Sequence, residues 1–262
     1  MPEYKTIEIE ELEGYAIIYL NRPENFNSLN IQIAEDLYSS LEYITTSKNF
    51  HCVIITGKGK AFCAGGDIVY FQGAENPINY MQNLADKFHA GLKQLKANFL
   101  SIAAINGFCF GAGLGLACVC DLRICSSFAK FGSAFTGIGL SPNSTLTSHL
   151  PKIVGLSLAT EMILTNRILT AEEALKFNLV SRVFKSNDDL LNEAKELATQ
   201  LSKGAILALK KAKSLIGSSF SNNLESQIKL EIANIVETAG TDDFQEGIRA
   251  FLGKKKPNFE GK

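Results

Sequence analysis

The sequence predicts an α/β protein, and three observations support that prediction. Short apolar runs of strand length alternate with segments whose apolar residues recur at helical spacing. The run 52–57 is apolar almost throughout, as expected for a strand covered on both faces of a parallel sheet. Glycine-rich turns at 61–67 and 106–115 each follow a strand-like run and precede a helix-like one. This alternation favours crossover connections and a parallel sheet.

The first half of the chain is predicted to alternate strands and helices. Residues 5–20 have strand-like runs on either side of Glu13-Gly14, which predicts a β-hairpin. Asn30 is a suitable cap for a helix that continues to about residue 44. After the strand at 52–57 we expect, in order, a helix following Asp67, a helix over 79–94, a strand at 101–105, a helix at 114–120 and a strand at 122–126.

The sequence becomes mostly helical from residue 151 onwards. Asn166 and Asn178 lie where a left-handed residue would end a helix. Thr170 and Glu173 form a capping-box pattern at the start of another helix. No linker rich in Pro, Gly or Ser separates the two halves, so we do not expect independent domains. The predicted helices cover 156–164, 187–201, 204–216, 221–238 and 242–252.

Composition limits the possible functions. The 262 residues suffice for one large α/β domain or a domain with a helical appendage. A net charge of -1 argues against a nucleic-acid partner, which usually needs a basic surplus. No apolar run has the length of about 18 residues expected of a spanning helix, and the amino-terminal segment is unlike a signal peptide. We therefore expect no membrane partner and a cytoplasmic location. The six cysteines lack C-x-x-C spacing and predict buried small side chains.

Several common catalytic and nucleotide-binding motifs are incomplete or absent in this sequence. Gly111-x-Gly113 lacks the third glycine of a dinucleotide fingerprint, and no complete P-loop is present. The sequence contains neither G-x-S-x-G nor H-E-x-x-H, and its histidines are dispersed. A zinc enzyme or a serine-triad enzyme is therefore not expected.

The two glycine-rich turns carry the chemical prediction. Small residues at a turn let a ligand approach the backbone closely. Helix amino termini also leave N–H groups without intrahelical acceptors. Two such turns facing one pocket would place two N–H donors on one oxygen, which is the arrangement of an oxyanion hole.

Characteristic motifs occur in order along nearly the whole chain, at 21–29, 55–57, 61–67, 104–107, 111–113, 120–124, 131–132, 139–142, 150–155, 172–174 and 243–251. On these motifs the chain resembles the crotonase (enoyl-CoA hydratase/isomerase) superfamily. The segment 134–144 looks more like the isomerase and ring-opening branches of that superfamily.

The resemblance implies a spiral of ββα turns with a C-terminal helical region, so we expect an acyl-CoA-binding core over 1–200 and a helical region over 201–262. It implies a coenzyme A thioester as substrate, no permanently bound cofactor, no metal, and assembly as a homotrimer or homohexamer. By position, the N–H groups of Gly66 and Ala112 would bind the thioester oxygen. Ala112 replaces a common glycine, but the donor belongs to the main chain.

The resemblance also implies which residues contact coenzyme A. One group lies in the segment that usually lines the CoA cleft, and the other lies where the adenine and pantetheine arm usually pass. Asp67 has an alternative role as the cap of the following helix. The implied residues are Asn27, Ser28 and Leu29 in the first group, and Ala64, Asp67 and Ile68 in the second.

The acid–base residue is the open question. In hydratases of the superfamily, two glutamates occupy the positions of Gly115 and Phe135, and both are absent here. In the isomerase branches an acidic residue often occupies the position of Asn143. An amide takes no proton near neutral pH, although it can form hydrogen bonds. A standard two-glutamate hydratase is therefore not expected.

Three functions remain open from the sequence. The favoured one is double-bond isomerisation through a thioester enolate with an atypical base. The second is hydration or thioester hydrolysis with a water placed by polar groups such as Asn143. The third is acyl-CoA binding with little or no catalysis. The substitute bases to consider are Tyr70, Glu75, Tyr80 and His149.

Overall fold

The computed structural model describes residues 2–46 and 50–261. The chain packs into two compact units, Met1–Ala198 and Thr199–Lys262. The first unit combines strands and helices, and the second contains helices. The α/β class predicted from the sequence is therefore confirmed.

The predicted strands and helices occur in the predicted order, together with short strands that the sequence did not predict. The strands are β1 (Ile7–Leu12), β2 (Tyr15–Leu20), β3 (Cys52–Gly57), β4 (Ala61–Cys63), β5 (Leu100–Ile105), β6 (Phe108–Phe110), β7 (Leu122–Ser126), β8 (Lys130–Gly132), β9 (Leu169–Thr170) and β10 (Val183–Phe184). The α-helices are α1 (Ile31–Thr46), α2 (Ile68–Gln72), α3 (Pro77–Asn98), α4 (Ala112–Val119), α5 (Leu146–Val154), α6 (Leu156–Leu164), α7 (Ala171–Lys176), α8 (Asn187–Ser202), α9 (Ile206–Ser218), α10 (Leu224–Ala239) and α11 (Asp242–Leu252).

The larger sheet has the strand order β1-β2-β3-β5-β7-β10. The predicted hairpin is present, since β1 runs antiparallel to β2 with Ile7 opposite Leu20. The other neighbouring strands are parallel. Every residue of β2 and β5 is buried. Burial of both faces explains why these strands are mostly apolar rather than alternating between apolar and polar residues.

The smaller sheet has the strand order β4-β6-β8-β9. Strands β3, β5 and β7 of the larger sheet are each followed along the chain by a strand of the smaller sheet. A helix then follows β4 and β6. The chain therefore repeats a ββα unit whose two strands belong to different sheets, which is the spiral that the resemblance implies. Because β4 pairs with β6, the turns that leave these two strands are neighbours.

Predicted caps begin two of the helices. The Asn30 Oδ1 accepts the Ile33 N–H at 3.0 Å at the start of α1. Thr170 and Glu173 form both bonds of the capping box of α7, at 3.2 and 3.0 Å. These contacts confirm that short polar side chains fix helix starts in this chain.

Two helices begin earlier than predicted. α3 begins at Pro77 because the Asn76 Oδ1 accepts the Asn79 N–H at 3.0 Å, a cap that the periodicity of apolar residues does not show. α4 begins at Ala112 rather than 114 because Gly111, with φ +53°, completes the turn before it. The second difference places Ala112 at the first helical position.

The core of the first unit lies between the sheets and the helices. Helices α1 and α3 pack on each other, α1 contacts β1 and β2, and α3 contacts β5. Phe62, Phe99 and Phe131 are completely buried in this core. The well-packed interior holds the ends of β4 and β6 in fixed positions.

The second unit contains α9, α10 and α11. The Asn223 Oδ1 caps α10 by accepting the Ser226 N–H at 2.9 Å. Lys211 of α9 pairs with Glu237 of α10 at 2.6 Å. The large apolar side chains that α10 leaves exposed are Leu224, Ile228, Leu230, Ile232, Ile235 and Val236.

No helix within 2–46 and 50–261 is long and apolar enough to cross a membrane. Across the same ranges, no three His, Cys, Asp or Glu side chains come together as a candidate metal site.

Candidate active site

The two glycine-rich turns lie side by side after β4 and β6. Gly65 has φ +102° and Gly111 has φ +53°, conformations that residues with a side chain rarely adopt. A Cβ on Gly111 would lie 3.4 Å from the Gly65 Cα. The lack of side chains therefore lets the two backbones touch.

Gly113 brings the first turn of α4 against β4. A Cβ at this position would lie 2.1 Å from the Cys63 carbonyl oxygen and 2.8 Å from the Cys63 Cβ. Only glycine fits at this separation. The close approach places Ala112, the first residue of α4, next to the turn that contains Gly66.

The main-chain N–H groups of Gly66 and Ala112 have no protein acceptor among the described residues. At the first turn, the Leu29 N–H donates to the Gly65 oxygen at 2.7 Å and the Asp67 N–H donates to the Leu29 oxygen at 2.9 Å. The bonds to Leu29 thus involve the two neighbours of Gly66 and leave its own N–H unused. Ala112 is helical and does not have a positive φ, so alanine is compatible with the backbone at this position.

A cavity of about 480 Å³ contains both donors in its wall. Most of the lining is apolar, and the polar side chains in it are Ser141, Asn143 and Ser144. The remaining lining residues are Leu29, Ala64, Gly65, Gly66, Ile68, Phe71, Met81, Leu84, Ala85, Phe88, Gly111, Ala112, Ala134, Phe135, Ile138, Leu140 and Pro142.

The structure brings some of the predicted site residues together and separates others. Leu29, Ala64 and Ile68 line the same cavity as the two donors and Asn143. The predicted residues outside its wall are Asn27, Ser28 and Asp67.

Asn27 and Asp67 are buried within the protein and bond to it. The Asn27 Oδ1 accepts the Arg22 N–H at 2.8 Å, and its Nδ2 donates to the Ala61 oxygen at 2.7 Å. Asp67 accepts from the Arg22 Nη2 at 2.9 Å, and its side chain forms no capping bond at the start of α2. The Arg22 Nη1 also donates to the Ser28 oxygen at 2.5 Å. These contacts connect the segment after β2 to the first glycine turn.

The polar end of the cavity is formed by residues 141–144. The Asn143 Oδ1 accepts the Ser144 N–H at 2.6 Å, and its Nδ2 has no hydrogen bond to any residue that the structure describes. Ser144 and Thr145 are consecutive left-handed residues, with φ +57° and +58°. Such conformations persist where the surrounding structure imposes them, and they are concentrated at functional sites.

Comparison with known proteins is decisive for the family. The family model "Enoyl-CoA hydratase/isomerase" matches residues 10–262. The chain belongs to the enoyl-CoA hydratase/isomerase family. It is 36% identical to YngF of Bacillus subtilis strain 168 over 95% of each chain, and 31% identical to a crotonyl-CoA hydratase of Syntrophomonas wolfei over 99% of each. The crystal structure of an enoyl-CoA hydratase from Bacillus anthracis matches with a TM-score of 0.93 at 30% identity, over 98% of this chain and 100% of that one.

Membership of this family gives the fold and the general activity. The ββα spiral is the crotonase fold, as the resemblance implied. The protein is an acyl-CoA enzyme of the enoyl-CoA hydratase/isomerase type, and the family acts on coenzyme A thioesters.

The two positions at which the resemblance implies glutamates in hydratases have different environments here. A Cβ at Gly115 would lie 2.5 Å from the Ser144 oxygen and 2.6 Å from the Ser144 Cβ. The backbone of the polar segment therefore occupies the space that a side chain at 115 would need. Phe135 does line the cavity, where its ring adds apolar surface.

None of the substitute bases considered from the sequence lines the cavity. Tyr70 is half exposed with the Arg22 guanidinium 5.7 Å from its ring centroid, and Glu75 is exposed. Burial raises the pKa of Tyr80, which therefore stays protonated at neutral pH. Burial lowers the pKa of His149, whose Nδ1 lies 3.1 Å from the Thr145 oxygen.

The cysteines in the two turns are buried thiols. Burial raises the pKa of Cys63 to about 11 and raises that of Cys109 well above its ordinary value. A thiolate is the reactive form, so neither side chain is a nucleophile at neutral pH.

The sequence places the pocket wall in the segment around residues 68–95 but does not single out the residues that form it. Met81, Leu84, Ala85 and Phe88 of α3 line the cavity. Their spacing of i, i+3, i+4 and i+7 marks one face of a helix and was visible in the sequence. That signal does not distinguish a face that lines a cavity from one that packs in the core.

Proposed function

We propose that the protein isomerises the double bond of an enoyl-CoA thioester whose oxygen is held by the Gly66 and Ala112 N–H groups. The proposal is supported by one observation above all: both donors lie in the wall of one cavity, and neither has a protein acceptor within the described ranges. Donors placed where an oxygen gains negative charge stabilise the enolate, and the loss of one typically lowers the rate by about 100- to 1000-fold.

The cavity wall favours an uncharged hydrocarbon acyl group. Phe71, Met81, Leu84 and Phe88 form one apolar side, and the described lining residues include no charged side chain. An ionised acyl group would lose its hydration there without gaining a partner. The preferred substrate is therefore an enoyl thioester with an apolar chain.

Proton transfer is assigned to the polar end of the cavity. The Asn143 Nδ2 is available to hold a water molecule, whereas the amide itself takes no proton at neutral pH. In this proposal that water is the atypical base: its oxygen takes the proton from one carbon while one of its own protons passes to the other carbon, so that water is regenerated. Water is a weaker base than a carboxylate, so we expect slow turnover.

Hydration is the second candidate function. Ser141, Asn143 and Ser144 could place a water for addition to the double bond, and the similar protein from Syntrophomonas wolfei is named a crotonyl-CoA hydratase. The same water would then form a bond to carbon instead of carrying a proton.

Product analysis separates the candidates. The protein is incubated with 3-enoyl-CoA thioesters of several chain lengths, and conjugated 2-enoyl-CoA is followed by absorbance. Crotonyl-CoA is supplied in parallel, and loss of its conjugated absorbance reports hydration. Formation of 2-enoyl-CoA above the buffer rate supports isomerisation. Calorimetric binding without either product, or with free CoA release alone, contradicts it.

Asn143→Asp tests the position assigned to proton transfer. A carboxylate at this position would act directly as the base, and positioned bases contribute roughly 100- to 10,000-fold. We therefore expect isomerisation to rise by at least about 100-fold. The matched control is Asn187→Asp, because Asn187 is exposed and lies outside the cavity wall. A fall in activity with Asn143→Asp, at unchanged folding, would show that the amide acts in its own right.

We also propose that the chain assembles as a homotrimer or homohexamer, as the family resemblance implies. Support comes from the exposed apolar residues Ile232, Ile235 and Val236 of α10, because large exposed patches mark interaction surfaces. Light scattering coupled to size exclusion measures the mass, and a monomer at micromolar concentration contradicts this proposal.

A further inference from the structure

A buried ion pair lies next to the first oxyanion donor. The Arg22 Nη2 lies 2.9 Å from the Asp67 Oδ2, and the two residues are 8% and 5% exposed. Asp67 directly follows Gly66 in the chain. Neither side chain lines the cavity, so neither contacts the substrate in the proposed function.

Arg22 connects several parts of one loop. Its Nη1 donates to the Ser28 oxygen at 2.5 Å, and its Nη2 reaches the Asn25 Oδ1 at 3.3 Å. Its main-chain N–H donates to the Asn27 Oδ1 at 2.8 Å. The guanidinium therefore fixes the shape of residues 22–29 and joins that segment to Asp67.

The same segment binds the backbone of the glycine turn. Leu29 forms bonds to Gly65 and Asp67, at 2.7 and 2.9 Å, and the Ala64 N–H donates to the Phe26 oxygen at 3.1 Å. Leu29 and Gly66 form a parallel bridge. In such a bridge Leu29 bonds to the peptide groups on either side of Gly66, and the N–H of Gly66 itself points away from Leu29. The direction of the Gly66 N–H is thus set by how residues 26–29 hold its neighbours.

We propose that the Arg22–Asp67 ion pair is a positioning device for the Gly66 donor. This inference rests on the proposed function of the cavity as a thioester site. Catalytic donors act when they are held in the productive geometry before the reaction, within about 0.5 Å. The ion pair connects the turn to residues 22–29 without contributing to the cavity wall. Removing it lets the turn relax, so the N–H polarises the thioester oxygen less although the cavity wall is unchanged.

The test measures polarisation of a bound carbonyl and requires no turnover. The probe is butanoyl-CoA labelled with ¹³C at the thioester carbonyl, which is a saturated thioester. Its infrared carbonyl stretch reports hydrogen bonds to the thioester oxygen. The variants are Arg22→Ala, Arg22→Lys and Asp67→Asn. The matched control is Lys87→Ala, which removes the more exposed ion pair with Glu35 at 2.8 Å. Calorimetry gives the dissociation constant for each protein.

In the wild type we expect the carbonyl stretch to move to lower frequency on binding. Arg22→Ala and Asp67→Asn should lose about half of that shift or more, because one of two donors is displaced. Their dissociation constants should change by less than about tenfold, since the apolar wall still binds the chain. Added guanidinium should restore the shift in Arg22→Ala, and the Lys87→Ala control should equal the wild type.

Two kinds of result would overturn the inference. If folded Asp67→Asn shows the wild-type shift of the carbonyl stretch, the ion pair has a structural role only. The same conclusion follows if guanidinium restores the folding of Arg22→Ala without restoring that shift. Absence of any shift in wild-type protein that binds the thioester contradicts the proposed oxyanion site itself, and the positioning role with it. The conservative Asp67→Asn change keeps the size of the side chain, so the comparison remains available if Arg22→Ala does not fold.

Discussion

Gly115→Ala is expected to destabilise the protein although alanine is the better helix former. Gly115 lies within α4, and an added Cβ would meet the Ser144 oxygen at 2.5 Å and the Ser144 Cβ at 2.6 Å. The nearest atom is backbone, and the segment it belongs to has left-handed residues at 144 and 145. A backbone so constrained cannot swing aside as the end of a flexible side chain would.

The expected size follows from two opposing effects. Replacing glycine by alanine inside a helix stabilises by about 0.5–1 kcal/mol. Forcing extra volume into a well-packed region costs about 1–3 kcal/mol. A net loss of about 1–2 kcal/mol lowers the melting temperature of a chain of this size by roughly 2–8 °C.

Thermal unfolding followed by circular dichroism measures the difference. The matched control is Gly217→Ala, because Gly217 lies in α9 and an added Cβ there has no atom within 4 Å. We expect this control to gain up to about 1 kcal/mol, or to remain unchanged. A melting temperature for Gly115→Ala equal to or above that of Gly217→Ala would refute the reasoning, because the contact with Ser144 would then be easily relieved.

Three further changes test other parts of the structure. Replacing the main-chain amide of Ala112 by an ester removes one N–H donor and should lower turnover by about 100- to 1000-fold. The matched control is the same change at Ala171, a buried alanine that also begins a helix, and it should leave turnover unchanged. Ala85→Phe fills the apolar wall, so KM should rise for long acyl chains and stay constant for short ones; equal effects on both contradict the assignment. A hydrogen bond from Tyr19 lowers the pKa of the Glu10 carboxyl. The wild type should therefore be more stable than Glu10→Gln above the ordinary carboxylate pKa, and this difference should disappear as the pH falls through the lowered pKa of Glu10. Urea unfolding midpoints measured as a function of pH test this expectation.

The fold was predictable from the sequence where local signals agree with tertiary packing. The runs at β2, β3 and β5 are mostly apolar, and nearly all of their residues are buried. Asn30 and Thr170 begin helices because their side chains accept from main-chain N–H groups that lack helical acceptors. Such signals are local, so one sequence is enough to interpret them. The helix starts at Pro77 and Ala112 were predicted too late because apolar periodicity is weak at the ends of helices.

The candidate site was predictable only in part. The glycine-rich turns indicate close backbone approach, and the structure shows Gly65 and Gly111 in contact. Whether Asn27 and Asp67 face a ligand depends on distant partners. Arg22, their shared partner, lies 45 residues before Asp67, and no local pattern links the two. Polar side chains near a turn therefore suggest both a site and its scaffold, and only tertiary structure distinguishes them.

The contact between Gly115 and Ser144 also relates the position of the Ala112 N–H to that of the polar residues 141–144. Ala112 and Gly115 are three residues apart on one helix, which corresponds to about 4.5 Å along its axis. Ser144 packs directly on Gly115, and Asn143 is bonded to the Ser144 N–H at 2.6 Å. In the proposed function, the donor for the thioester oxygen and the polar group for the proton are therefore both positioned by one turn of α4. A side chain at 115 would clash with the polar segment in this position, so glycine at 115 follows from how residues 143 and 144 are placed. In the proposed function proton transfer depends on residues 141–144, so changes there should alter the reaction more than placing a carboxylate at 115.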